Sequence, residues 1–162
     1  MSALEIGSRL PDAAMSVMTE SGPAIVQLTS KLAGRKTVVF GLPGAFTGGC
    51  STVHLPSFMR TIEAFKTKGI HEVICIAVND PFVLGAWGES TGASKAGITF
   101  LGDADGSFTK AIGMNFSFAP LGLFDRSNRY ALVVDDGVIT HAKLDAAGVC
   151  ENSTGESLLE TL

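Results

Sequence analysis

Cys50 stands where a loop broken by glycine and proline turns into a helix, in the run Pro43-Gly44-Ala45-Phe46-Thr47-Gly48-Gly49-Cys50. A cysteine in the first turn of a helix meets unpaired backbone N–H groups and the positive end of the macrodipole, and both favour the thiolate. The thiolate is the nucleophile, so sulfur chemistry is the leading expectation. Thr47 can set its hydroxyl near the sulfur, donating to a thiolate or accepting from a bound hydroperoxide. Pro43 can shield the sulfur from water, and the loop N–H groups can receive developing negative charge. The plainer alternative is a small buried hydrophobe beside a helix cap, the usual fate of a lone cysteine. The pattern P-x-x-x-T-x-x-C at one junction tips the reading towards catalysis.

Such a site wants a fixed positive charge. Arg129, just before the apolar run Tyr130–Val134, can bring a guanidinium to a thiolate and to peroxide oxygens. Arg126 is near enough in sequence to compete, and spacing alone leaves the choice open. His54 follows Cys50 by one helical turn, but a Cys–His metal pair needs further ligands and neither His71 nor His141 has ligand spacing. Packing or hydrogen bonding is its expected role, and no metal is expected. Asp103 and Asp105 lack the later ligands of a calcium loop and are read as turn and cap residues.

The elements that must position these groups alternate in type. Met15–Met18 and Ala24–Leu28 flank Glu20-Ser21-Gly22-Pro23 as a short hairpin, after an extended lead-in over 1–13 with a turn at Pro11-Asp12. Thr29–Leu32 forms a brief helical turn. Thr37–Leu42 and Val73–Val78 are uncharged runs suited to buried strands, and the helix over 51–67 between them implies parallel neighbours. Pro56 should kink that helix or delay its regular start. Asp80 and Pro81 open the next helix as cap and first residue. Ile98–Leu101 is a short strand, Phe108–Ile112 a helix, and 114–125 reads as a loop whose Phe116, Phe118, Leu121 and Phe124 either line a pocket mouth or a dimer face or pack as ordinary core. Tyr130–Val134 and Val138–Ala142 make a hairpin through Asp135-Asp136-Gly137. Ser153 and Glu156 have capping-box spacing before a terminal helix, Ser157–Leu162. The sum is a mixed sheet flanked by helices, an α/β arrangement that a thioredoxin-like fold fits well.

Composition narrows the class. The chain has 162 residues, 46% hydrophobic and 17% charged, the profile of one compact domain spanning 1–162. A net charge of -4 gives no basic footprint for nucleic acid. No apolar run approaches the roughly 20 residues that span a bilayer, and Met1–Glu5 lack the pattern of a secretory signal. Three widely spaced cysteines suit a reducing compartment, with the cytoplasm as the expected location.

The run P-G-A-F-T-G-G-C-S-T-V-H-L-P, with V-N-D-P-F at 78–82 and S-N-R-Y-A-L-V-V-D-D-G at 127–137, resembles the type II (peroxiredoxin-5-like) peroxiredoxins over nearly the whole chain. The resemblance implies a thioredoxin fold and a cofactor-free thiol peroxidase acting on hydrogen peroxide and organic hydroperoxides. It makes Cys50 the peroxidatic nucleophile and Thr47 and Pro43 its pocket partners, and it selects Arg129 over Arg126. It also implies a homodimer. Some plant members carry a cysteine at the strand position of Cys75, and some relatives place a resolving cysteine near Cys150, a few residues displaced. Each has a plain alternative, core packing for Cys75 and an incidental thiol for Cys150. The expected reductant is therefore external: glutathione, glutaredoxin or thioredoxin. One departure stands out: Gly48-Gly49 replaces the family's common Pro-Thr, which should loosen the loop by roughly 0.5–1 kcal/mol per position. The rival readings are a general thiol-disulfide oxidoreductase, which would prefer a C-x-x-C pair, and a non-enzymatic redox or metal-binding module using Cys50 and His54.

Overall fold

The computed structural model describes residues 4–162, so the first three residues of the lead-in lie outside it. A hairpin of β1 (Ala14–Thr19) and β2 (Gly22–Gln27) comes first, followed by α1 (Leu28–Leu32) and β3 (Lys36–Gly41). After the cysteine loop, a π-helical turn (Cys50–His54) runs into α2 (Leu55–Thr67), then β4 (Glu72–Ala77), α3 (Pro81–Thr91), α4 (Ala93–Ala96) and β5 (Ile98–Gly102). The last third holds α5 (Ser107–Ala111), β6 (Asn115–Phe118), β7 (Leu123–Ser127), β8 (Tyr130–Asp135), β9 (Val138–Leu144) and α6 (Gly155–Leu159).

Seven strands form one mixed sheet in the order β2-β1-β5-β4-β3-β8-β9. Strands β3, β4 and β5 are mutually parallel, as the uncharged runs separated by helices led us to expect. β8 returns antiparallel beside β3, with Tyr130 opposite Gly41, and this register brings the start of β8 to the end of β3 that leads to the cysteine. The hairpin β8–β9 closes through Asp136 and Gly137, both at positive φ, the geometry that Asp-Gly favours.

Alternation along the strands splits the core between the two faces. Val38, Phe40, Val73, Cys75, Ala131 and Val133 face the layer of α2, α3 and α6, where Phe58, Phe65, Trp87 and Leu158 are buried. Val39, Ile74, Ile76, Leu132 and Val134 face the other side, against Leu28, Leu32 and Phe108. At ~25 cal/mol per Å² of apolar surface, these two layers are the main stabilising contribution.

Two local expectations are corrected, and the delayed regular start expected at Pro56 takes a specific form. Residues 114–125 are a small antiparallel ribbon, β6–β7, around a 3₁₀ turn at Ala119–Leu121, rather than a loop. Its strands are short and their register shifts between Phe116 and Phe118, so no clean alternation marks them. The cap of the last helix is Thr154, whose hydroxyl accepts from the Ser157 N–H at 3.2 Å, and the helix is Gly155–Leu159. Ser153 bonds elsewhere. The helix after Cys50 begins with a π turn, in which the Leu55 N–H donates to the Cys50 carbonyl five residues back. Pro56 explains it: with no N–H for the Thr52 carbonyl and a ring that would strike it, the ladder slips by one residue upstream.

Candidate active site

β3 ends in the centre of the sheet, and the chain leaves it through a loop that is almost wholly enclosed up to Ala45. Two contacts hold this loop. Asn79, two residues beyond β4, accepts the Ala45 N–H at 3.0 Å, and Arg126 of β7 donates through Nη1 to the Pro43 carbonyl at 3.0 Å. Gly44 sits at positive φ against that guanidinium, and a Cβ there would collide with Arg126 Nη1. Phe46 also has positive φ, an uncommon state for a bulky residue, and its ring is 59% exposed. Thr47 then donates its hydroxyl to the Gly44 carbonyl at 2.7 Å, which tightens the turn into the helix. Its proton is engaged within the loop, and its oxygen lone pairs remain available as acceptors.

Cys50 opens the π turn and is fully buried. Arg129 Nη2 lies 3.3 Å from its sulfur and donates to it. The same guanidinium donates through Nη1 to the Val149 carbonyl at 3.3 Å, so Arg129 spans from Cys50 to the residue before Cys150. Arg129 is itself buried, and its Nε has no partner. A cation so placed attracts a thiolate strongly, because little water screens the pair. A Cβ at Gly49 would stand 2.8 Å from Arg129 Nη2, so a side chain there would have to displace the guanidinium. At Gly48 a Cβ would meet only open space. The expected loosening is therefore coupled, at Gly49, to close access for the arginine.

Around this pair the neighbours are neutral or spent. Ser51 accepts from the Trp87 indole N–H at 3.0 Å, tying the turn to α3. His54 is buried against Phe40 and Phe58, and its Nε2 bonds the Ser153 carbonyl at 2.8 Å, which requires the proton on Nε2. Burial lowers its pKa to about 4, so the ring is uncharged at neutral pH. Packing and hydrogen bonding are thus its observed interactions. Cys75 lies in mid-sheet opposite Phe40 and Phe100, and burial, with Cys50 adding to it, pushes its thiol well above the ordinary range. Cys150 is half-buried; burial raises its pKa, Arg129 opposes that, and Asp145 and Cys50 add to it.

Of the residues singled out from the sequence, Arg129 reaches the Cys50 sulfur, while Thr47 and Pro43 lie in the loop that leads to it, held by Gly44 and by Arg126 of β7. Sequence reasoning missed Asn79, Asp145 and the true role of Ser153. Asp145 accepts from Glu151 N, Asn152 N, Ser153 N and Ser153 Oγ, a device with no local motif. Asp103 and Asp105 serve as turn and cap acceptors, as expected. Among the described residues no group of three or more His, Cys, Asp or Glu is arranged to hold a metal ion, and no helix is long and apolar enough to cross a membrane. A surface cleft of about 400 Å³ is at the opposite end of β3 and β4, where Lys31, Arg35 and Thr99 converge on Glu72.

The chain is similar to known proteins along most of its length. The Redoxin family matches residues 5–159. Peroxiredoxin-2E-2, chloroplastic, of Oryza sativa subsp. japonica is 39% identical over 166 residues, covering 100% of this chain and 74% of that protein. Peroxiredoxin-2F, mitochondrial, of Arabidopsis thaliana is 43% identical over 126 residues, 78% of this chain and 62% of that protein. The crystal structure of reduced Prx3 in complex with H2O2 from Vibrio vulnificus has a TM-score of 0.91 and 38% identity, covering 97% of this chain and 98% of that chain. The thioredoxin-like α/β fold is thus established. The chloroplastic and mitochondrial relatives overturn the expectation of a cytoplasmic location. Three separated thiols report a reducing environment, and that condition does not single out one compartment.

Proposed function

The chain belongs to the type II peroxiredoxins and is a thiol-dependent peroxidase, and from that premise we propose that Cys50 is its peroxidatic nucleophile, assisted by Arg129, Thr47 and Pro43 within one domain over 1–162. The observation that carries this assignment is the Arg129 Nη2 contact at 3.3 Å to a sulfur at a helix start. The Cys50 thiolate attacks the nearer peroxide oxygen, an S–O bond forms, and the O–O bond breaks. The departing oxygen leaves as hydroxide or alkoxide and takes a proton to become water or an alcohol; Cys50 is left as sulfenic acid. Arg129 faces the charge on sulfur and then the charge on the departing oxygen. Thr47, its proton engaged by Gly44, accepts from the peroxide O–H. Pro43, buried beside the loop, keeps water out.

Hydrogen peroxide and organic hydroperoxides are the proposed substrates. An external thiol, from glutathione, glutaredoxin or thioredoxin, condenses with the sulfenic acid to a mixed disulfide and water, and a second thiol releases Cys50. One observation favours a second reading, with Cys150 as the resolving thiol: Arg129 ties the Cys50 sulfur to the carbonyl immediately before Cys150. Cys75, enclosed in mid-sheet, fits packing better than resolution. A homodimer is also proposed, covering the exposed Phe118, Leu121 and Phe124 of the β6–β7 ribbon and its turn.

The test is intact-mass analysis after one equivalent of peroxide on wild type and on Cys75→Ser and Cys150→Ser. A sulfenic acid or glutathione adduct in all three supports the external thiol. An intramolecular disulfide that disappears with Cys150 alone selects the second reading.

A further inference from the structure

Arg129 has no carboxylate partner among the described residues; its side chain is held by the Cys50 sulfur and the Val149 carbonyl. A carboxylate in place of that carbonyl would anchor the guanidinium more firmly but cancel the charge the sulfur needs. The orientation of Arg129 therefore depends on whatever fixes Val149, and Val149 lies in residues 145–154, which have no strand or helix of their own.

That segment is fixed from two sides. At one side the Asp145 carboxylate takes the N–H groups of Glu151 at 3.1 Å, Asn152 at 2.9 Å and Ser153 at 2.9 Å, and the Ser153 hydroxyl at 2.6 Å. The Asp145 N–H in turn donates to the backbone carbonyl of Arg129 at 3.0 Å. At the other side His54, on the Cys50 turn itself, donates to the Ser153 carbonyl at 2.8 Å. The contacts close a circuit: Arg129 backbone, Asp145, the segment, Val149 carbonyl, Arg129 side chain, Cys50 sulfur, and back through the π turn to His54. We propose that His54 and Asp145 are positioning residues for the peroxidase reaction, strapping residues 145–154 across the Cys50 turn so that the Val149 carbonyl aims Arg129 at the sulfur.

Both residues suit that task chemically. His54 is neutral, so it adds no second cation to compete for the thiolate; its Nδ1 has no partner and its ring packs against Phe40 and Phe58. On Asp145, burial pushes the carboxyl up, but the bonds from Ser153, Asn152 and Glu151 outweigh it and hold it below its ordinary value. Its charge is thus spent on four donors rather than on Arg129. The charged and titratable groups around the sulfur are Arg129 from the β7–β8 connection, Cys75 from β4, His54 from the π turn, and Asp145 and Cys150 from the strap.

The proposal rests on Cys50 as the reacting thiol, and the experiment separates the two. Alkylation of Cys50 by iodoacetamide is followed against pH by peptide mass mapping, and its oxidation by H2O2 by stopped flow, in wild type, His54→Phe, His54→Gln, Asp145→Asn and Arg129→Met. His54→Phe keeps an aromatic ring against the stacked Phe40 and Phe58 and loses the bond to Ser153; His54→Gln restores a donor. The strap predicts that His54→Phe and Asp145→Asn raise the alkylation midpoint by about one pH unit, with an oxidation rate at neutral pH about tenfold lower. His54→Gln recovers most of both, and His54→Phe adds nothing once Arg129→Met is present. A downward shift in Asp145→Asn, which removal of a negative charge alone would cause, overturns the proposal. So does an unchanged His54→Phe, or a loss that adds to that of Arg129→Met. If Asp145→Asn does not fold, the His54 pair and the Arg129 background decide alone. Wild-type Cys50 that reacts no faster than free cysteine overturns the assignment of Cys50 itself, a result distinct from either.

Discussion

Cys50 and Cys75 are equally enclosed and belong to the same core layer, one at the end of β3's loop and the other in the middle of β4. Around Cys75 the sheet supplies Phe40 and Phe100 and no cation, and burial drives its thiol towards the neutral form. Around Cys50 the same enclosure contains a guanidinium at 3.3 Å and the start of a helix. Burial by itself makes a cysteine inert; burial with one unneutralised cation makes the attraction between them strong, because the surrounding medium screens it little. The difference between a structural and a reactive thiol therefore lies in what shares the cavity.

The most severe change is to make Cys50 resemble Cys75. Arg129→Met should cut the second-order rate with H2O2 by about 10²–10³-fold, the usual loss for one preorganised charge-stabilising donor. Stopped-flow oxidation measures it, and a loss below about threefold would mean that Arg129 is incidental. His54 shows enclosure without a compensating charge. Its pKa is about 4 in the fold against an ordinary 6.5, so the unfolded chain binds the extra proton between those values. Stability contributed by the neutral ring is complete above pH 6.5 and should fall by about 3 kcal/mol as the pH drops to 4. Urea melts across that window check it, and His54→Phe should flatten the slope.

Smaller effects separate the two environments further. Gly49→Thr places a Cβ against Arg129 Nη2, and should lower the peroxide rate about tenfold through misplacement of the guanidinium. Gly48→Pro meets open space near the helix start; it should leave the rate within about twofold and add about 0.4–1 kcal/mol of stability. Equal effects at both positions would remove the special role of Gly49. Cys75→Ala should cost about 1–2 kcal/mol in thermal or urea unfolding as a small core truncation, with peroxide reactivity unchanged.

Much of this was legible in the chain because it is written in local patterns. The uncharged runs gave the parallel strands, Asp136-Gly137 gave the hairpin, and Thr47 with Cys50 at a strand-to-helix junction pointed to the proposed nucleophile. What escaped is non-local or irregular. Pro56 announced a disturbed helix start, but the π turn follows from how the ladder slips around it. The β6–β7 ribbon is too short and too broken in register to show a period of two. The choice between Arg126 and Arg129 came from resemblance, and only the register of β8 on β3 explains why the two arginines reach different parts of the loop. Asp145 binds donors six to eight residues ahead, a spacing that matches no capping motif. Ser153, one residue from the true cap, is used by that carboxylate instead.

The contrast between the two enclosed thiols requires that Cys50 alone reacts fast. Intact mass with peptide mapping after one equivalent of H2O2, on wild type, Cys50→Ser and Cys75→Ser, tests this directly. The expected result is rapid oxidation at Cys50 in wild type and in Cys75→Ser, and none above the level of free cysteine in Cys50→Ser. Rapid oxidation that persists in Cys50→Ser, or that first marks Cys75, would contradict it.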